Sequence, residues 1–396
     1  SPRAQVHADL LSSLPDGYVA PQLDSAWLPG FGATMRAFPG HANETYLSLR
    51  QGYCVSHCDP NQGDLILYAR GAPLVALTLT AYPLHQHPPF QELDQTFGWH
   101  TRVRFGKPGN TGGWPGGGAV GGIPAHAFGP LADYARAVGE YGPQRWTRQV
   151  VFMKPRTPDG PAYFILRDSF TPLNGDAASL EPAFWSLRNP APKNTVTLSP
   201  NGLAYASPQG ASLTVHFLQP ESVTGESREA TREGPLYFGN ARNWIRAGSP
   251  TVSSQQPDNA TVADTLTVST FGPIAPGQDI LVALLPLGRQ ETAPAFERLA
   301  DGVVKVTSSE GVDYVFLSDT ALRFAGDDLA FSGLAGAVRI GKGDVSLLCL
   351  EGPVEASHQG AVLSAGVPVQ KTLTPAEAAT KPRIEMPAPP ELLNPP

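Results

Sequence analysis

Glycine and proline recur along the whole chain, and this is the feature that most restricts what the chain can fold into. The sequence has 41 glycines and 41 prolines among its 396 residues, whereas average usage of the two together is about 12%. Both residues destabilise helix interiors and are favoured in turns. The sequence therefore predicts an all-β protein with many short strands and many turns.

Short apolar segments between turn signals predict where the strands lie. Leu65–Tyr68 and Leu74–Leu79 flank the turn Arg70–Pro73, so we expect a β-hairpin there. The spacing of later segments predicts a large antiparallel β-sandwich, a super-sandwich, over residues 28–290. A smaller C-terminal β-sheet domain is predicted over residues 291–373.

Four segments depart from this strand pattern. Residues 1–27 are expected to be an irregular linker, and the proline-rich residues 374–396 an extended tail. The glycines of residues 106–124 predict a flexible surface loop. One helix is predicted over residues 129–141. Helical spacing relates four of its side chains: Leu131, Tyr134, Ala135 and Val138.

Charge and hydrophobicity exclude two classes of partner. The net charge is −7 and no run of lysine and arginine occurs, so the basic face of a nucleic-acid binder is not expected. No run of 18 apolar residues is present, and we expect no membrane span. An acidic polymer is still compatible with an acidic protein whose groove alone is positive.

The first residues of the sequence and its cysteines indicate the cellular compartment of the protein. The chain opens with Ser1-Pro2-Arg3 instead of methionine, which favours a mature or excised product that is secreted or periplasmic. An odd number of cysteines argues against a disulfide scaffold. We expect small buried thiols at the three positions Cys54, Cys58 and Cys349.

Histidines are concentrated in residues 57–100. Because residues i and i+2 of an extended chain project to the same side, His57 pairs with Asp59 and His85 with His87. Imidazoles and carboxylates are ordinary ligands of zinc and related ions. The pattern predicts one divalent metal, zinc or calcium, although histidines in a proline-rich surface loop are the simpler interpretation of the second pair.

The surroundings of the first pair resemble a family signature. Residues 56–74 run from a His-x-Asp stretch through an apolar strand to a tyrosine and a glycine turn. This order is similar to the start of the β-sandwich in heparinase II/III-like polysaccharide lyases. One upstream segment, Phe31–Arg36, and three downstream segments resemble other parts of the same pattern. The downstream segments are Trp99–Val103, Arg148–Phe152 and Tyr163–Asp168.

The resemblance implies roles for three residues. His57 falls on the family's first histidine, which projects into the cleft and assists catalysis or neutralises the substrate carboxylate. Asp59 falls on a histidine that binds metal in metal-containing members, and His100 falls on the histidine that completes that metal site. The implied activity is β-elimination of an acidic, uronate-containing polysaccharide.

The chain departs from the family pattern around the metal. Aspartate stands at position 59 instead of histidine, Asn61 replaces an aspartate, and residues 77–79 lack the aspartate expected after the glycine turn. The usual metal site is therefore not expected. A variant site would combine Asp59 and His100 with His85 or His87.

Substrate contacts are assigned to the same region. Arg102 and Arg104 alternate with His100, so the three side chains are expected on one face as a strip that binds carboxylates. Three further residues are predicted to bind substrate: Trp99, His85 and His87.

The resemblance also implies a missing partner. Family members carry the tyrosine that transfers protons on an α/α toroid, and this sequence contains no comparable set of helices. β-Elimination needs a base, neutralisation of the carboxylate and protonation of the leaving oxygen, and one cleft histidine supplies one of these. The sequence therefore predicts the β-sandwich portion of such a lyase.

Two other functions stay open. One is a non-catalytic carbohydrate-binding or structural β-sandwich, which would present an exposed aromatic platform. The candidates for that platform are Phe97, Trp99, Trp114 and Trp146. The other is a metal-dependent carbohydrate-active enzyme. Its ligands would come from His57, Asp59, His85, His87 and His100.

Overall fold

The computed structural model describes residues 23–52, 62–75, 100–106, 121–235 and 261–373. These residues form β-strands and two short 3-10 turns, with no α-helix among them. The prediction of an all-β fold with several antiparallel sheets is therefore confirmed. The described residues contain no helix that is long and apolar enough to cross a membrane.

The first sheet, sheet A, is a five-stranded antiparallel meander. Its strands are neighbours in both sequence and space: β1 (Ala26–Leu28), β2 (Gly32–Ala37), β3 (Thr45–Arg50), β4 (Leu65–Ala69) and β5 (Ala72–Val75). The last two form the predicted hairpin, closed by Arg70 and Gly71, both with positive φ. Within the described residues, the first strand begins at Ala26, two residues before the predicted start of the sandwich at 28.

The described residues between 103 and 287 form twelve strands and two 3-10 turns, Ala177–Ser179 and Lys193–Thr195. The strands are β6 (Val103–Phe105), β7 (Gly121–Phe128), β8 (Ala132–Tyr141), β9 (Gln144–Met153), β10 (Tyr163–Pro172), β11 (Ala183–Asn189), β12 (Val196–Ser199), β13 (Gly202–Ala206), β14 (Ser212–Gln219), β15 (Gly225–Pro235), β16 (Thr261–Ile274) and β17 (Ile280–Leu287). Sheet B has the order β15-β16-β11-β6, and sheet C has the order β12-β13-β14-β17-β10-β9-β8-β7.

The last sheet, sheet D, is formed entirely by residues after position 290. Its strands are β18 (Ala295–Ala300), β19 (Val303–Ser308), β20 (Gly311–Gly326), β21 (Leu329–Ile340), β22 (Val345–Glu351), β23 (Val354–His358), β24 (Ala361–Ala365) and β25 (Val369–Leu373). The main order is β18-β19-β20-β21-β22-β25, and β23 joins β21 to β24. Sheet D also encloses a small core of its own, in which Phe316 stacks on Phe331.

Sheet C is buried on both faces and is the central layer. Along β9, Val150 packs into a core shared with sheets A and B, whereas the next residue, Val151, packs into a core shared with sheet D. Phe164 and Ile165 of β10 divide in the same way. Because alternate side chains of a strand point to opposite faces, sheet C packs between sheets A and B on one side and sheet D on the other.

The helix predicted over residues 129–141 is wrong, because this segment is strand β8. Its neighbouring side chains separate into the two cores: Tyr134 packs toward sheet D, and Ala135 toward sheet A. A strand that is apolar on both faces has no alternating pattern. Its adjacent apolar residues therefore resembled helical spacing in the sequence.

The predicted glycine-rich loop and the predicted buried thiols can be compared with the structure only in part. Strand β7 begins at Gly121, so the last four residues of the loop predicted over 106–124 belong to a strand instead. Residues 107–120, the two chain ends, Cys54 and Cys58 lie outside the described residues. Cys349 is a buried free thiol on β22, and burial raises its pKa to about 11.

The central layer predicts which core side chain stabilises the fold strongly. Phe164 is fully buried and stacks on Phe152 of the neighbouring strand at 4.3 Å between ring centroids. We expect Phe164→Ala to lower the free energy of unfolding by about 3–5 kcal/mol, measured by urea denaturation. Exposed Tyr68→Ala should change it by less than about 0.5 kcal/mol. A similar loss in both variants would contradict the layer assignment.

Candidate functional site

Three of the eight residues assigned from the sequence lie in the described part of the chain. His100 and Arg102 lie in the segment that leads into β6, and Arg104 lies within β6. The other five lie outside the described residues, and their roles stay predictions: His57, Asp59, His85, His87 and Trp99.

The buried carboxylate of Asp64 organises the site. Its Oδ2 lies 2.9 Å from Nδ1 of His100 and 3.0 Å from Nη2 of Arg188. Its Oδ1 accepts hydrogen bonds from the backbone N–H groups of Thr101 at 2.6 Å and Leu65 at 2.9 Å. Asp64, His100 and Arg188 are each at most 3% exposed. A carboxylate in this setting is stabilised only because charged and neutral donors surround it.

A glycine places Asp64 at the start of β4. Gly63 has a positive φ of 73°, and a Cβ at this position would overlap the ring of Trp146. Only glycine combines this backbone conformation with so close an approach. The carbonyl of Gly63 then accepts a hydrogen bond of 2.6 Å from Nη1 of Arg148.

A second buried ion pair holds this turn against sheet C. Arg148 and Asp168 face each other across β9 and β10 and are joined by two hydrogen bonds of 2.7 and 2.9 Å. Trp146 also donates its indole N–H to Asp168 at 2.8 Å. Bidentate pairs of this kind fix geometry as well as charge. Arg148 therefore ties the central sheet to the turn that carries Asp64.

Both ends of the segment that carries His57 are fixed beside this cluster. The N–H of Arg50 donates to the carbonyl of Asp64 at 2.9 Å, and the N–H of Gly63 donates to the carbonyl of Arg50 at 2.6 Å. Gln51 is bound by the carbonyl of Phe31 at 3.0 Å. The two described segments on either side of His57, which end at residue 52 and begin at residue 62, are therefore hydrogen-bonded to each other.

The charges of the cluster set the protonation of its members. Burial acts to raise the pKa of Asp64, but Arg188, His100 and the hydrogen bonds lower this pKa below its ordinary value. Burial also lowers the pKa of His100, and the attraction of Asp64 offsets that effect only in part. At neutral pH Asp64 is therefore ionised and His100 neutral. An ionised carboxylate only accepts hydrogen bonds, so Nδ1 of His100 carries the proton.

The two arginines near His100 have different surroundings. Arg102 is 4% exposed, and its guanidinium lies 5.0 Å from the ring centroid of Tyr141 and 5.5 Å from that of Trp146. Arg104 is half-buried, with its guanidinium 4.6 Å from the ring centroid of Phe184. The structure thus brings Arg102 and His100 together in the interior, and Arg104 is the most exposed of the three. Their contact with a substrate stays a prediction.

Sequence reasoning missed Asp64, Arg188 and the Arg148–Asp168 pair. The available signal was Gly63-Asp64, a turn residue and a carboxylate directly before an apolar strand. Arg188 gave no signal, because it is separated from Asp64 by 124 positions.

The aromatic platform expected for a carbohydrate-binding sandwich is partly corrected by the structure. Trp146 is 2% exposed and belongs to the core, because its ring packs over the Gly63 turn. Phe97, Trp99 and Trp114 lie outside the described residues. The described aromatic side chains with large exposed areas are instead Trp27, Phe31 and Tyr68.

The described residues do not form a metal centre. No group of three histidine, cysteine, aspartate or glutamate side chains within them is arranged to hold a metal ion. The Asp64–His100 pair fits a metal poorly, because Arg188 places a positive charge against the same carboxylate. The zinc or calcium expected at Asp59 and His100 stays a prediction, because Asp59 lies outside the described residues.

Comparisons with known proteins identify the fold. No protein-family model and no curated protein matches the chain. Among solved structures, the heparan sulfate lyase HepC from Pedobacter heparinus matches with a TM-score of 0.51 and 13% identity, covering 80% of this chain and 47% of that chain. A mutant of the same enzyme gives the same TM-score and identity, with 76% and 43% covered.

A heparinase III structure matches with a TM-score of 0.48 and 12% identity, over 90% of this chain and 43% of that one. The likeness to HepC shows that the chain has a polysaccharide-lyase-like β fold. The chain spans less than half the length of the heparan sulfate lyase chains that it matches.

The neutral state of buried His100 makes stability depend on pH. Its pKa is lowered in the folded protein, so below the unfolded-state pKa of about 6.5 the unfolded chain binds a proton that the folded chain does not. We expect the free energy of unfolding to decrease as the pH falls below about 6.5, by up to about 1.4 kcal/mol per pH unit from this group. Urea denaturation at several pH values measures this slope.

His100→Gln removes the titrating group and should flatten the slope by this amount. His41→Gln, at an exposed histidine, is the matched control and should leave the slope unchanged. Equal slopes for wild type and His100→Gln would show that His100 is not held neutral.

Proposed function

We propose that this chain is the β-sheet portion of a heparinase II/III-like polysaccharide lyase. It would act on an acidic, uronate-containing polysaccharide together with an α/α toroid domain, in a secreted or periplasmic setting. The observation that carries the proposal is the β fold shared with a heparan sulfate lyase over 80% of this chain but only 47% of the lyase. The unmatched part of the lyase leaves room for a second domain in the complete enzyme.

We assign the cluster around Asp64 to the floor of the substrate cleft, where it supports the groups that contact substrate. Asp64 contacts His100, and backbone hydrogen bonds join Arg50 to Asp64 and to Gly63, the described residues on either side of the segment that carries His57. We assign His57 to the substrate carboxylate or to proton transfer. Precise placement of such a group requires a rigid support, which the paired buried charges supply.

The neighbouring arginines fit an acidic substrate. β-Elimination removes a proton from the carbon beside a uronate carboxylate, which first requires that the carboxylate be neutralised. Guanidinium groups bind carboxylates with two parallel hydrogen bonds. Arg104, half-buried on the edge strand β6 of sheet B, is the described residue that we assign to this contact.

The test joins the chain to an α/α domain and measures release of unsaturated, UV-absorbing product from uronate polymers. Loss of a group that transfers a proton costs about 100-fold or more in rate, so we expect His57→Ala to reduce product formation by at least that factor. His41→Ala, at an exposed histidine beside β3, is the control and should retain the wild-type rate. Full activity of His57→Ala would defeat the proposal.

The second candidate function is carbohydrate binding without catalysis, which the exposed aromatic residues favour. Trp27 is 42% exposed and stacks on His126 at 4.9 Å. Phe31 is 49% exposed, with the guanidinium of Arg50 4.1 Å from its ring centroid. Two results together would establish this function instead of the lyase. The protein would bind polysaccharide and lose that binding in Trp27→Ala, and the chain joined to an α/α domain would release no unsaturated product.

A further inference from the structure

The guanidinium of Arg188 is completely buried and pairs with the carboxylate that also contacts His100, the one described residue to which the family resemblance assigns a metal. We propose that Arg188 takes the place of the divalent cation, and that it and Asp64 are positioning residues that hold His100 in one tautomer without metal. The proposal concerns the same site as the proposed function. Its test measures metal content and the state of His100, so its outcome is independent of lyase activity.

The backbone of β11 brings Arg188 to this place. β11 pairs with β6, with Trp185 opposite Val103, and the ladder is extended when the N–H of Ser186 donates to the carbonyl of Arg102 at 2.9 Å. The N–H of Arg188 then donates to Oγ1 of Thr101 at 3.2 Å. Arg188 therefore lies directly beside the residue that follows His100.

The hydrogen bonds of Asp64 leave no room for a metal. A carboxylate offers about four lone-pair positions. Two are used by the backbone N–H groups of Leu65 and Thr101, and the others by His100 and Arg188. A metal could bind Asp64 only by displacing Arg188 or His100, which would leave a buried charge or a buried polar group without its partner.

The charge balance of the cluster also argues against a bound metal ion. Its described members include three guanidinium groups and two carboxylates: Arg102, Arg148 and Arg188 with Asp64 and Asp168. These carry an excess of positive charge while His100 is neutral. A divalent cation would add to that excess in an interior where like charges repel strongly, so the donor set suits a guanidinium and not a metal.

The arrangement defines what His100 can do. Leu65, Thr101 and Arg188 all donate to Asp64, and a carboxylate paired with a guanidinium only accepts hydrogen bonds. The 2.9 Å contact with His100 therefore places the imidazole proton on Nδ1. The lone pair then resides on Nε2, which is the state of an imidazole that accepts a proton or a hydrogen bond. The cation that pairs with this carboxylate is thus a side chain of the protein.

Two measurements on the wild-type protein test this directly. Elemental analysis of protein purified without chelator should find less than about 0.1 zinc or calcium ion per chain, and added EDTA should leave Tm unchanged within about 1 °C. In ¹⁵N-histidine-labelled protein, NMR should show His100 neutral with its proton on Nδ1. The His100→Gln spectrum assigns the signal.

Variants separate the charge of Arg188 from general loss of a buried ion pair. Arg188→Met should lower Tm by about 5 °C or more and abolish the fixed tautomer, whereas Arg188→Lys, which retains the charge, should preserve it. Arg339→Met is the matched control, because Arg339 is 2% exposed and forms two hydrogen bonds with Asp313 in another part of the molecule. It should lower Tm similarly without altering the His100 signal.

The results that would overturn the proposal are equally definite. One is stoichiometric zinc or calcium in the wild type together with a fall in Tm on chelation. Another is a wild-type His100 that carries its proton on Nε2. The third is a folded Arg188→Met with an unchanged His100 signal. If Arg188→Met does not fold, the wild-type measurements and Arg188→Lys decide the question.

Discussion

The carboxylate of Asp64 is the point at which three distant parts of the chain meet. It binds His100, which is 36 positions away, and Arg188, which is 124 positions away. Burying an ion is costly unless each charge is paired and its remaining hydrogen bonds are made. The turn before β4, the segment before β6 and strand β11 are therefore held in one relative arrangement, and removal of Arg188 would leave the buried carboxylate of Asp64 without its ion-pair partner.

Sheet C provides the rigid surface on which this arrangement stands. Its two faces pack into two different cores, so its strands are buried along most of their length. Arg148 and Asp168 lie on the face toward sheets A and B, and they extend the polar network from the Gly63 turn into the centre of the molecule. The site thus belongs to the first core of the fold, and its geometry depends on the packing of that core.

The sequence revealed the parts of the fold that follow from local patterns. The glycine and proline content indicated turns, and an apolar segment such as Leu65–Tyr68 indicated a strand, because periodicity and turn signals are local properties. Strand β8 was missed, because a strand buried on both faces has no period of two. Arg188 and its pairing with Asp64 were missed because nothing in a single sequence states which buried charges of distant strands meet. The prediction that Trp146 is exposed was wrong for a related reason, since a single sequence does not show whether an aromatic side chain lies in the core or on the surface.

Asp64 and Arg188 act as one unit in the buried network. A double-mutant cycle with Asp64→Asn, Arg188→Met and the double variant measures this most directly, through the free energies of unfolding in urea. Residues in direct contact within a buried network show coupling energies of about 0.5–3 kcal/mol, and we predict a value above about 1.5 kcal/mol, with the double variant more stable than the two single losses would give if added. Additive losses would mean that the two side chains contribute independently and would contradict the account.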